Sequence, residues 1–305
     1  METVVIAGGT GMIGSRLSRE LIAAGYRVVI LTRNAGLAGS RGSVTYSYWD
    51  PEKQLIDRRM IAESDHIVNM AGAFVMAQRW TPAYKKKILD SRTASTQLLT
   101  EALQKTPNRV KTVINGSAIG WYGEDRDNHY AFKETDPADN GFLGATCKAW
   151  EDSIPDGIGD IRVCRLRTGI VLGREGGFLR ELELPVKLGI APIISKGRQV
   201  ISWIHIQDLC GIILFLMENN LSGNFNAVAP HPSTNKEITL SYARKKKGKF
   251  IIPLHVPGIL LKLMLGERAI EILKSTRVSC EKIMNAGYSF RFPTLEEALN
   301  DITGH

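Results

Sequence analysis

The stretch IAGGTGMIG, Ile6 to Gly14, decides the fold. Gly8, Gly11 and Gly14 fall at G-x-x-G-x-x-G spacing, after the apolar run Val4-Val5-Ile6 and before an amphipathic segment. That order reads as strand, tight turn and helix N-terminus. Glycines permit the turn and let backbone approach a pyrophosphate, which then rests on free N–H groups at the positive end of the helix dipole. The loop, with Thr10, Met12 and Ile13 between its glycines, is therefore read as a dinucleotide-binding segment.

Outward from this loop, strand-like and helix-like segments alternate, which predicts an α/β fold: a doubly wound parallel sheet of the Rossmann type with a smaller C-terminal substrate lobe. Strands are expected at Thr3–Ala7, Arg27–Thr32, Val44–Trp49, His66–Met70, Val110–Gly116 and Ile161–Leu166. Ile13, Leu17, Leu21 and Ala24 mark the inner face of the first helix, which Gly25 ends. A long helix is expected over Pro82–Leu103. Beyond Gly173 the alternation weakens into a loop-rich insertion near 174–200, punctuated by Gly176-Gly177, Pro185, Gly189, Pro192 and Gly197. Short strands at Ser202–Ile206 and Asn224–Val228 follow, and residues 234–305 read as a mainly helical domain behind a nucleotide-binding domain of residues 1–233.

Composition excludes several function classes. The 305 residues are 44% hydrophobic and 23% charged, ordinary for a globular chain. Four scattered cysteines and six dispersed histidines give no metal-ligand spacing, so no metal is expected, and the cysteines fit a reducing compartment. The net charge of +8 is divided between the halves, with 19 basic and 15 acidic residues in 1–150 and 20 and 16 in 151–305. A nucleic-acid binder concentrates its excess, so none is expected as a partner. No apolar run approaches the ~20 residues that cross a bilayer. With the first strand starting at Thr3, no leader is expected either, and the expectation is a cytoplasmic protein with a small-molecule substrate and no membrane partner.

The residue ending strand two sits beside the adenosine ribose in dinucleotide folds. A carboxylate there selects NAD, whereas a basic residue accommodates the 2′-phosphate of NADP. Here the segment is Leu31-Thr32-Arg33-Asn34, so Arg33, with Asn34, predicts NADP(H); a plain surface charge is the competing reading. Trp49 and Asp50 are expected to flank the adenine, with Asp50 either accepting from the exocyclic amine or capping a turn at Pro51. Ala71-Gly72 would let backbone approach the ribose and pyrophosphate.

Taken together, IAGGTGMIG, LTRN, NMAGA, RWTPAYKKKILDSR, NGSAIGWYG, FLGATCKAWE, RLRTGIVLG, SWIHIQDL, LMLGERAIEILKSTRV and NAGYSFRFPTLEEAL resemble the extended short-chain dehydrogenase/reductase superfamily. The resemblance is closest to its atypical epimerase-family, or sugar-nucleotide-epimerase-like, subgroup, and it runs nearly the length of the chain. It implies a Rossmann core, a short C-terminal helical domain and NADP(H), and it is compatible with a homodimer. The superfamily works with a serine after strand five and a Tyr-x-x-x-Lys pair on the next helix, the tyrosine exchanging a proton while hydride moves on the nicotinamide. Ser117 matches the serine. The pair is absent: Cys147 stands at the tyrosine and Glu151 at the lysine. Lys148 faces another side of the helix.

Candidate catalytic residues are therefore Ser117, Tyr122 and Cys147. A thiol ionises near ~8.5 and a phenol near ~10, so Cys147 could pass a proton, although Glu151 would raise its pKa. Tyr122 could substitute as acid or base or could pack the pocket. Trp80, Arg79 and the insertion are candidate substrate contacts, with Lys187 and Arg198 facing either an anion or solvent. His205 beside Asp208 reads as a structural histidine. Two functions follow: an NADP(H)-dependent epimerase or oxidoreductase-like enzyme for a small polar or sugar-nucleotide-like metabolite, or an inactive NADP(H)-binding regulatory or scaffold protein.

Overall fold

A computed structural model describes residues 1–125, 130–248 and 250–304. Seven parallel strands form the central sheet: β1 (Thr3–Ala7), β2 (Arg27–Thr32), β3 (Val44–Asp50), β4 (His66–Asn69), β5 (Thr112–Ala118), β6 (Ile161–Thr168) and β7 (Gly223–Ala227). Their spatial order is β7-β6-β5-β4-β1-β2-β3, with short antiparallel strands at Gly39–Arg41, Leu55–Ile56 and Gly157–Ile158 trimming the edges. The chain reverses direction across the sheet between β1 and β4. Ligands of such sheets bind in the crevice at the carboxyl ends of the strands flanking that reversal.

The alternation of side chains along a strand explains the two-faced core. Val4 and Ile6 of β1 point to one face, packing with Leu17 and Leu21 of α1 (Met12–Ala23) and with Leu209 and Ile213 further along the chain. Val5 and Ala7 point to the other, against Leu98, Leu99 and Leu103 of α2 (Pro82–Lys105). Thr81 caps α2 by accepting from the Tyr84 N–H at 3.2 Å, with Pro82 in its first turn where a missing N–H costs nothing. Helix α3 (Phe142–Asp152) then follows β5 and leads to β6.

The segment read as loop-rich contains regular structure. Helix α4 (Phe178–Lys187) buries Leu179, Leu182 and Val186 at helical spacing, and Pro185 is carried inside it. Strand Ile190–Ile194 follows and pairs in parallel with Ile252–Val256, so the C-terminal segment supplies a strand as well as helices. The glycines and prolines that suggested loop sit at the ends of these elements or on their outer sides. Helix α5 (Ile206–Glu218) returns to the sheet, and α6 (Asn235–Lys247), α7 (Gly258–Leu265), α8 (Arg268–Leu273) and α9 (Leu295–Thr303) complete the fold. A third core of Leu182, Trp203, Tyr242, Phe292 and Leu299 knits the insertion to the C-terminal helices. This lobe meets the nucleotide loop directly: a Cβ on Gly176 or Gly177 would lie 3.1–3.5 Å from the Met12 sulfur. Arg19 of α1 also pairs with Glu175 at 2.7 Å. Among the described residues no helix is long and apolar enough to cross a membrane.

Candidate active site

The carboxyl ends of β1, β2, β4 and β5 gather the expected site residues, and they behave differently at the two ends of the crevice. At the β1 end, two glycines are held by packing. Gly8 has φ +82°, and a Cβ there would lie 2.8 Å from the Met70 carbonyl; a Cβ on Gly14 would lie 2.4 Å from the Gly8 oxygen. Gly11 is different, because it is exposed and a Cβ would meet only the Gly8 oxygen at 3.4 Å. It caps α1 without a side-chain bond, so no side-chain acceptor takes up the N–H groups of the first turn. Thr10, Met12 and Ile13 complete this rim. The cradle thus fits an anionic pyrophosphate.

Arg33 is exposed at the end of β2, and among the described residues no hydrogen bond or ion pair engages its guanidinium. Asn34 is committed to the turn, its side chain accepting from the Gly36 N–H at 3.0 Å. Trp49 departs from expectation: the indole is 3% exposed and packs in the sheet core, so its ring offers no face to an adenine. A tryptophan that ends a strand with its neighbours Ile56 and Ile61 beneath it gains more from burial than from a solvent-facing ligand. The Asp50 carboxylate accepts from the Glu52 N–H at 3.1 Å, so the turn-capping alternative describes it. Ala71 and Gly72 leave β4 as open backbone. A Cβ on Gly72 would press on the Arg92 guanidinium at 3.1 Å. Arg92 in turn donates to the Ala73 oxygen at 3.1 Å and lies 5.1 Å from the centre of the Trp150 ring.

At the β5 end, the polar groups satisfy one another. Ser117 is 3% exposed and its Oγ donates to Glu151 Oε1 at 2.6 Å. Glu151 is clasped by Arg167 of β6 through Nε at 2.8 Å and Nη2 at 2.9 Å. Arg167 Nη1 reaches the Tyr122 hydroxyl at 3.0 Å, and that hydroxyl donates to Asn226 Oδ1 at 2.7 Å. The guanidinium also lies 3.7 Å from the centre of the Trp121 ring. Burial opposes the charge on Arg167, but the hydrogen bonds and attraction of Glu151 outweigh it and leave its pKa above the ordinary value.

This arrangement removes two of the expected proton carriers. Tyr122 is fully buried, stacked on Phe132 at 5.1 Å, and burial pushes its pKa up to about 12. Its hydroxyl fixes Arg167 and Asn226 and does not face an open site. Cys147 is 4% exposed, and burial above all, with Glu151 adding to it, pushes its thiol up to about 11. Burial thus favours the neutral form of both groups. Ser117 lies near the end of β5 and touches Glu151, the residue at the expected lysine position.

Sequence reasoning missed Arg167, Asn226 and Glu134, whose carboxylate accepts from the Asn226 N–H at 2.9 Å. One signal was available. Arg165 and Arg167 alternate with apolar residues in a strand that must be covered on both faces, and a buried cation requires a buried acid. Glu151 was the acid without a partner.

Next to Tyr122 lies a cleft of about 730 Å³, lined by Trp80, Lys85, Asp139, Phe142, Glu271 and Lys274 among others. Lys274 Nζ donates to the Tyr122 backbone oxygen at 3.2 Å. Trp80 therefore does line a cavity, while Arg79 donates to the Leu263 and Met264 carbonyls of α7. Lys187 and Arg198 are exposed on the lobe. His205 is structural: its Nδ1 accepts from the Gln207 N–H at 3.2 Å to cap α5, and burial pushes its pKa down to about 4. The neighbouring Asp208 accepts from the Arg291 and Phe292 N–H groups at 2.7 and 2.9 Å and from the Tyr288 hydroxyl at 3.0 Å. Among the described residues no group of His, Cys, Asp and Glu could hold a metal ion.

A Rossmann-type sheet with a glycine cradle, a serine near the end of β5 and a C-terminal lobe defines an extended nucleotide-binding fold. The family model of the NAD dependent epimerase/dehydratase family matches residues 4–228, and the chain belongs to that family. A model for a domain of unknown function, DUF1731, matches residues 256–302. An epimerase family protein of Mycobacterium bovis is 34% identical over 303 residues, covering 98% of this chain and 97% of the relative. One from Staphylococcus aureus is 34% identical over 308 residues, covering 99% of each. The crystal structure of human epimerase family protein SDR39U1 with NADPH superposes with a TM-score of 0.85 at 30% identity, covering 99% of both chains. The UDP-glucuronic acid 4-epimerase of Bacillus cereus, at 18% identity and a TM-score of 0.80, shares the fold.

Proposed function

We propose that this protein is an NADP(H)-dependent oxidoreductase or epimerase-type enzyme for a small polar or sugar-nucleotide-like metabolite, with Ser117 and Glu151 doing the work of the missing tyrosine and lysine. The preference for NADP(H) rests on the unpaired, exposed Arg33 at the end of β2, and the NADPH bound to the human relative supports it. The open cradle of Gly8, Gly11 and Gly14 would hold the pyrophosphate, and Ala71 and Gly72 the adjoining ribose. The cofactor, when bound, supplies or accepts hydride.

The observation that carries the reading is the 2.6 Å bond from Ser117 Oγ to Glu151. With its proton directed at a carboxylate, the serine oxygen has lone pairs free to accept from a substrate hydroxyl. As that hydroxyl is oxidised, its proton passes to Ser117 while the serine proton moves to Glu151. Reduction runs the same path backward. Arg167 holds Glu151 in register through two charge-assisted hydrogen bonds.

The test is hydride transfer from isotopically labelled NADPH into pooled polar carbonyl metabolites, followed by mass spectrometry. Label should appear in a product with wild-type protein and fall at least about a hundredfold in Ser117→Ala. Equal transfer by that variant would refute the role of the serine. One observation favours a second reading, an NADP(H)-binding regulatory or scaffold protein: Ser117 and Glu151, each 3% exposed, are as deeply buried as Cys147 at 4% and Tyr122. NADPH binding with no label transfer into any metabolite would select it.

A further inference from the structure

The outer surface of the C-terminal lobe carries apolar side chains that no part of the described fold covers. In the two-stranded sheet, Ala191 and Ile193 are fully buried on the inner face. The outer face presents Ile190, Pro192 and Ile194 beside their register partners Ile252, Leu254 and Val256, six apolar residues without a polar one among them. Phe250, 92% exposed, stands where the second strand begins, and Ile252 is 69% exposed. The chain continues into α7, a helix with no buried residue, where Ile259 and Leu263 are 77% and 70% exposed. Large exposed apolar patches of this kind mark interaction sites.

Charge selects the occupant. Residues 184–207 and 238–266, which contain the two paired strands and α7, hold no aspartate or glutamate and nine lysines and arginines. Exposed Lys187 and Lys196 bracket the first strand, and exposed Lys246, Lys247 and Lys262 bracket the second strand and α7. A two-fold pairing of this face with itself would set these cations against their own copies. Protein interfaces are anchored by aromatic and arginine side chains seated in pockets. Here the apolar groups are mostly aliphatic and project outward, and none of them lines the cleft beside Tyr122. Projecting aliphatic side chains within a rim of lysines match the boundary between acyl chains and anionic headgroups.

We propose that this face docks the protein on an anionic lipid surface. The docking is peripheral and uses no spanning helix, which is how a membrane partner arises despite the absence of a long apolar run. It orients the C-terminal lobe toward the bilayer and is independent of the cofactor.

The experiment is co-sedimentation of the full chain with vesicles of phosphatidylcholine alone and of phosphatidylcholine mixed with phosphatidylglycerol, at low and high salt. Two double variants accompany wild type: Ile259→Glu with Leu263→Glu, and Lys246→Glu with Lys247→Glu. All four side chains are exposed, and the thermal melting curve of each variant checks that the fold is retained. Wild type should sediment with the mixed vesicles at least about tenfold more than with the neutral ones, and salt should release it. Either double variant should lose about tenfold or more. No sedimentation, or equal sedimentation with neutral vesicles, would overturn the proposal. So would a wild-type dimer in light scattering that the Ile259 and Leu263 changes dissociate, which would give the face to a second copy. Vesicle binding that persists in both folded variants would likewise overturn it.

Discussion

The two ends of the nucleotide crevice contrast. At the β1 end the groups that would meet a ligand are unused: no side chain caps the first turn of α1 at Gly11, and Arg33 has no partner among the described residues. At the β5 end almost every polar group has found another: Ser117 with Glu151, Glu151 with Arg167, Arg167 with Tyr122, Tyr122 with Asn226. Binding sites built for a permanent guest keep donors waiting. A self-satisfied network is stable without a guest and must open a bond to accept one. The difference teaches that one crevice can hold an end whose polar groups are free and an end whose polar groups are already paired.

The largest way to break this contrast is at Gly14. A side chain there collides with the Gly8 oxygen from 2.4 Å, so Gly14→Val should abolish saturable NADPH binding and lower the melting temperature; isothermal titration and calorimetry check both. Next comes Glu151→Ala. It strands a buried guanidinium and should cost about 3–5 kcal/mol in urea unfolding, whereas adding Arg167→Met should recover a large part of that loss. A double variant no more stable than the single would show that the network is not the self-contained unit inferred from its bonds.

A smaller effect sharpens the other end. Arg33→Ala should weaken NADPH about 10–100-fold and leave NADH nearly unchanged, measured by fluorescence titration. Equal losses for both would assign Arg33 to the surface. The smallest effect is at Cys147. With its thiol at about 11, it should resist alkylation in the folded protein at pH 8 and react only after denaturation, as peptide mass spectrometry would record. Rapid labelling of the native protein would place an ionised thiol in the site after all.

The fold and the cradle were legible because their signals are local. Three glycines, an apolar strand on each side and a basic residue at the end of β2 lie within about thirty residues, close enough for one loop and its flanking strands to be read together. The β5 end was not legible because its partners are distant in sequence. Ser117, Glu151, Arg167 and Asn226 come from β5, α3, β6 and β7, so no spacing rule links them. Trp49 failed for another reason: a strand-end position fixes where a residue sits but not which face it turns to. The insertion near 174–200 misled through its glycines and prolines, which mark the ends of α4 and its following strand more than a continuous loop.

Asp208 has a consequence for biosynthesis. By collecting two backbone N–H groups and a hydroxyl from residues 288–292, it fastens the tail to α5. Phe292 then stacks on His205 at 4.0 Å, and Leu299 and Ile302 enter the third core. The central sheet is complete once β7 has been made, at residue 227. The face that the tail covers therefore stays bare on the ribosome until residues 288–302 have been made. Truncation before residue 288 should thus yield a chain that builds its sheet and aggregates through an unfinished lobe, the characteristic hazard of folding from the N-terminus onward.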